Sequence, residues 1–178
     1  MGSDSPLGLG IAASLGVYAM MPLYLVAEKG MDRTWANTLV AFSRVLTLGS
    51  SILAGWVTDR VGPQKTLMGV FIMGGTVTML LGIVSGSWII LTVFLQPMLA
   101  TAFFPPGFAA LSKIGSKKIK NVAVSLTMPV SFLLGGGVIV AGIGIMGEMG
   151  SFSLGISLFG GFLFLGVLLV RYLKFANE

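Results

Sequence analysis

Few side chains in this sequence can do chemistry. The chain has no histidine and no cysteine, which removes the commonest acid–base catalyst, the commonest metal ligand, and all thiolate and disulfide chemistry. A Ser–Lys nucleophile pair inside a membrane is the remaining enzymatic arrangement. Every lysine, however, lies in a loop or at the end of an apolar run. The expectation is no enzyme, no cofactor and no metal. What remains are a few charges in greasy surroundings. Residues 55–65, GWVTDRVGPQK, form a charged island between long apolar runs, and its Asp59 is one of only six carboxylates in the chain.

Arg44 is the charge set deepest in an apolar run, about 8 residues or roughly 12 Å from the run's outer end. Asn37, Arg44 and Ser51 recur at intervals of seven and share a helix face, with Thr47 adjacent. An arginine in hydrocarbon costs at least about 2.5–3.5 kcal/mol, so it must face a cavity or a partner. No carboxylate of this chain lies at comparable depth. Its partner is therefore backbone, a second unit, or a substrate anion. Two readings stay open: bidentate binding of an anionic substrate, or a structural arginine that snorkels or bonds carbonyls. The same lack of buried carboxylates leaves this unit without a proton carrier of its own. Tyr18, Tyr24, Gln96, Phe103 and Phe104 are candidate cavity wall, with ordinary packing as the alternative for each.

The elements that must position these residues are apolar. Of 178 residues, 55% are hydrophobic and 10% charged, with a mean hydropathy of +0.97, against about 25% charged in soluble domains. The composition is that of an integral membrane protein. Net charge is +5, but the basic residues lack the clustered, aromatic-interleaved face of a nucleic-acid binder. A spanning helix needs about 20 mainly apolar residues. Six such runs occur, at about 7–27, 36–57, 66–85, 88–111, 122–146 and 152–174, and they form one bundle. The runs are too long and too uniform for barrel strands. Residues 1–6 lack the basic start of a signal peptide and read as a tail or a cloning remnant.

Charge sets the expected orientation. Arg60, Lys65, Lys113, Lys117, Lys118, Lys120, Arg171 and Lys174 fall on one side of six crossings, against Lys29 and Arg33 on the other. By the positive-inside rule, both termini are expected to be cytoplasmic, in a plasma membrane of the bacterial inner-membrane kind. The first, second, fourth and fifth runs carry Ser14, Tyr18, Asn37, Arg44, Thr47, Ser51, Gln96, Thr101, Ser125, Thr127 and Ser131, while the third and sixth carry little that is polar. Polar groups in hydrocarbon must meet one another or water, so those four runs are expected to enclose an interior. Pro22 in the first run, and Pro97, Pro105 and Pro106 in the fourth, are candidate hinges. Those positions correspond if the six helices form two inverted three-helix repeats. Proline is also common in membrane helices without such meaning. The glycines crowded into the fifth run suit close packing, or a surface that slides.

The charged island also carries a resemblance. Gly55-x-x-x-Asp59-Arg60-x-Gly62-x-x-Lys65, between the second and third runs, resembles the signature loop of the major facilitator superfamily. Pro63 and Gln64 stand where that family usually has a basic pair. The weakened loop and the opening GVYAMMPLYLVAEKGM are similar to helices seven to twelve, the C-terminal half of such transporters. The resemblance implies half of a secondary transporter that moves a small solute by alternating access, with a weak lean to an organic anion. In it the loop around Asp59 acts as a cytoplasmic clamp against a second six-helix half. That half is expected in the same longer chain, in a second copy, or in another protein. The alternative is a six-helix structural or accessory module without a transport cycle.

Overall fold

The computed structural model describes residues 5–112, 125 and 129–171. The expectations that rest on Lys113, Lys117, Lys118, Lys120, Thr127 and Lys174 lie outside the described residues. Among the described residues the chain is helical without strands. α1 is Ser5–Ala27, α2 Arg33–Val61, α3 Pro63–Ile83, α4 Trp88–Ala102 and α5 Phe104–Ser112. A π-helical segment, Leu133–Ile139, leads into α6, Val140–Glu148, and α7 is Phe152–Arg171. Five of the resulting segments are long and apolar enough to cross a membrane. With α1 they make a membrane-embedded helical bundle.

Local chemistry accounts for the helix limits. The Asp32 side chain accepts from the Trp35 amide at 3.0 Å, satisfying one of the free N–H groups that open α2. At 29 residues α2 is about 43 Å long. It exceeds the roughly 30 Å hydrocarbon layer, so its charged end reaches the headgroup level. A single residue, Gly62, separates α2 from α3. Its φ of +93° is a left-handed conformation open to glycine, and Pro63 then starts α3, where a missing N–H costs nothing. Pro63 is thus a turn device.

α1 continues through Pro22 and α4 through Pro97. The fourth span divides only at Phe103, just before Phe104, Pro105 and Pro106. The fifth span departs from the α-helix where Gly135, Gly136 and Gly137 follow one another, since glycine adds no side chain to resist the wider turn.

Helices pair in a definite pattern. α3 packs most extensively against α7, α2 against α4, and α1 against the π-helical segment and α6; α3 also meets α4, and α1 meets α7. The α3–α7 contact is a backbone approach. A Cβ on Gly160 would stand 2.5 Å from the Met79 amide nitrogen and 2.9 Å from the Gly75 carbonyl oxygen. In a membrane, where apolar side chains gain little from leaving lipid, such small-residue seams let dispersion and polar contacts hold helices together.

The two ends of the bundle are fastened separately. At one end the buried Tyr24 hydroxyl donates to the Leu81 carbonyl at 2.7 Å, and Lys29 Nζ donates to the Val84 carbonyl at 3.0 Å. Both cap the C-terminal end of α3, where a cation also complements the helix dipole. Beside them Glu28 accepts from the Ser153 amide at 2.9 Å, at the start of α7. At the other end Gln64 Nε2 donates to the Val170 carbonyl at 3.2 Å. Arg60, Lys65 and Arg171 therefore share one end, while Glu28, Lys29, Asp32 and Arg33 share the opposite one.

Candidate functional site

The α2 sequence buries a narrow stripe of Leu39, Val40, Ser43, Thr47, Ser50, Ala54 and Thr58 against the bundle. Its hydroxyls mostly turn back on their own helix. Ser43 donates to the Val40 carbonyl at 2.7 Å, Thr47 to Arg44 at 2.6 Å, Ser51 to Thr47 at 3.0 Å and Thr58 to Ala54 at 2.6 Å. This back-bonding satisfies a hydroxyl without water or a cavity. Ser51 has its proton committed to its own helix in this way. Ser50 and Thr101, whose hydroxyls lie 3.2 Å apart, are different because they tie α2 to α4.

Arg44 is half-buried, and its guanidinium carbon lies over the Tyr18 ring of α1, 3.5 Å from the ring centroid. Among the described residues it has no carboxylate partner. The ring holds the cation by its quadrupole, and a guanidinium carries N–H donors that a planar anion accepts in parallel pairs. Two turns along α2, Asn37 is exposed. With Arg33, and with Ala19, Pro22, Leu23 and Val26 of α1, it lines a groove of about 480 Å³. α1 and α2 thus make two separate features, the Tyr18–Arg44 contact and the groove lined by Pro22, Asn37 and Arg33.

Gln96 does not join them. It is 3% exposed and lines a separate small cavity between α1, α3, α4 and α7. Pro97 is buried beside it. Phe103 fills the space above Gly10, where a Cβ would collide with the ring, and meets Phe71 edge-on at 5.4 Å. Phe103 therefore packs in the core and also walls the small Gln96 cavity.

At the α2–α3 turn, Asp59 is exposed and takes no hydrogen bond or ion pair among the described residues. Arg60 is stacked on Trp56, 4.1 Å from the ring centroid, one helical turn back and therefore on the same face. Gly55 faces Pro105 of α5, with room to spare. Lys65 is exposed in the first turn of α3. Arg60 and Asp59 thus do not pair with each other.

Two functional contacts escaped sequence reasoning. Tyr18 and Arg44 were singled out separately, yet no local spacing joins residues on different helices. Gln64 looked like a lapse from a basic motif, and it serves as a cap for α7. The Trp56–Arg60 stack was within reach, since its spacing of four is visible in the sequence. Comparison with known protein families, curated proteins and solved structures returns no match for this chain.

Proposed function

We propose that this chain is a six-helix half of a secondary transporter of the major-facilitator kind, moving a small organic anion by alternating access. The observation that carries the reading is the helix pairing. Numbering the spans one to six, the pairs one–five and two–four exchange when each of the first three helices is swapped with its counterpart three along. The pairs one–six and three–four exchange likewise, and three–six maps onto itself, whereas one–two has no four–five counterpart of comparable extent among the described residues. Two inverted three-helix repeats produce that pattern, and the Gly55–Lys65 turn lies in the loop where the resemblance requires it. Alternating access also needs a second six-helix unit to close the transport path. The second and fifth spans are the least buried of the five long ones, and they offer that unit its faces. The end bearing Arg60, Lys65 and Arg171 is the cytoplasmic one in this reading.

Arg44 on Tyr18 supplies the anion lean, and the exposed carboxylate of Asp59 supplies one side of the clamp. A helix N-terminus or cation of the second unit would gain about 1–2 kcal/mol from it in a partly buried contact. The Arg60–Trp56 stack favours the second reading, in which the turn anchors an accessory module at the headgroups. Anion flux into proteoliposomes, with the mass of the reconstituted species, separates the two. Flux lost in Asp59→Lys while insertion stays normal supports the transporter. Flux from a single six-helix unit would falsify the two-half arrangement, and unaltered behaviour of Asp59→Lys supports the anchor.

A further inference from the structure

Gln96 holds a buried polar atom without a partner among the described residues. Its Oε1 is fully buried and has no hydrogen-bond partner among them, in a side chain that is 3% exposed. Leaving such an acceptor dry is expensive, and native structures rarely do so without an ion or a water. The side chain borders a cavity of about 20 Å³, lined mainly by Val70, Phe71, Leu99, Phe103 and Leu163. Thr78, 1% exposed, lines the same cavity and brings a second polar group from the neighbouring α3. A single water occupies about 10–15 Å³ by this kind of measure and needs two or more polar partners. The cavity meets both conditions.

We infer that this cavity is a binding site for one ordered water molecule, which donates a hydrogen bond to Gln96 Oε1 and joins it to the Thr78 hydroxyl. A bare monovalent cation is the competing occupant by size. It would exchange its hydration shell for two oxygens and a wall of aliphatic and aromatic carbon, which the desolvation penalty forbids. The water is then a polar joint between α3 and α4. It sits beside Pro97, where α4 lacks one N–H of its own ladder. It lies apart from the Tyr18–Arg44 contact and does not depend on any transport role.

The test is a high-resolution structure of the full chain in lipid nanodiscs, paired with water-to-amide magnetisation transfer to the Gln96 side chain in detergent. Expected are a single density peak within hydrogen-bonding distance of Gln96 Oε1 and a water cross-peak at its amide protons, both unchanged when sodium is replaced by choline. Thr78→Val, close in shape to threonine, should keep the fold and lose most of the cross-peak. Gln96→Leu should fold and show neither signal. An empty cavity, a Gln96 turned onto a protein donor, or a peak that follows rubidium by anomalous scattering would each overturn the assignment. So would a cross-peak that survives Thr78→Val undiminished.

Discussion

Replacing Tyr18 by leucine tests the anion site most sharply, because it leaves the arginine in place and removes only what holds it. The guanidinium lies 3.5 Å from the ring centroid, closer than the roughly 6 Å limit for a useful cation–π contact. Such contacts are worth about 0.5–1 kcal/mol when exposed and about 2 kcal/mol when desolvated. Arg44 is half-buried, which places the contact at about 1–2 kcal/mol. If the ring pre-orients the fork for an anion, that energy appears as about 5- to 30-fold weaker binding. Isothermal titration with a panel of mono- and dicarboxylates reads it directly. Tyr18→Phe keeps the ring and should bind within about twofold of wild type, since the ring face carries the contact. Arg44→Lys keeps the charge but loses the planar fork and should fall further than Tyr18→Leu. The double variant Tyr18→Leu/Arg44→Lys should lose less than the sum of the two, because each residue acts through the other. Binding that is unchanged in Tyr18→Leu and in Arg44→Ala would refute the site. Thermal stability lowered in both, with affinities intact, would assign the pair to packing alone.

Other consequences concern the frame. Gly160→Ala brings a Cβ to 2.5 Å from the Met79 amide nitrogen, a backbone atom that cannot swing aside. The α3–α7 seam must open, and a loss of about 1–3 kcal/mol is expected in SDS unfolding, whereas Gly161→Ala, with open space around it, should be near neutral. Gly62→Ala forces an L-residue to a φ of +93°. It should lower stability by about 1–3 kcal/mol, although nothing crowds the position. Tyr24→Phe leaves the Leu81 carbonyl without its buried donor. A loss of about 1–3 kcal/mol is expected, with faster amide exchange at the Tyr24–Val84 end than at the Gln64–Val170 end.

The membrane class was legible because it needs only composition and run length. Bilayer thickness sets both, and no tertiary contact can change them. Among the described residues the helix limits differ from the expected runs by a few residues, and most of the difference has a local cause. α2 reaches back to Arg33 because Asp32 caps it, and forward to Val61 because Gly62 turns the chain. Some of the candidate site was legible too, since Asn37 and Arg44 share a face of one helix at helical spacing.

What spacing could not supply was the partner of each group. Polar residues on α2 were read as lining an interior. Their hydroxyls can instead use carbonyls three or four residues back, and composition cannot tell the two apart. Pro22, Pro97, Pro105 and Pro106 were read as candidate hinges. A helix supported by neighbours on several sides passes through Pro22 and Pro97, and the division falls at Phe103, beside Pro105 and Pro106. Sequence alone therefore determined the solvent this chain lives in, the helices it must make and the ends at which its charges gather, because those follow from local hydrophobicity and chain geometry. Tertiary structure alone decided that Arg44 rests on Tyr18, that Gln64 caps α7, and that Gln96 faces a cavity. Each of these joins side chains from helices whose separation in sequence carries no trace of their contact in space.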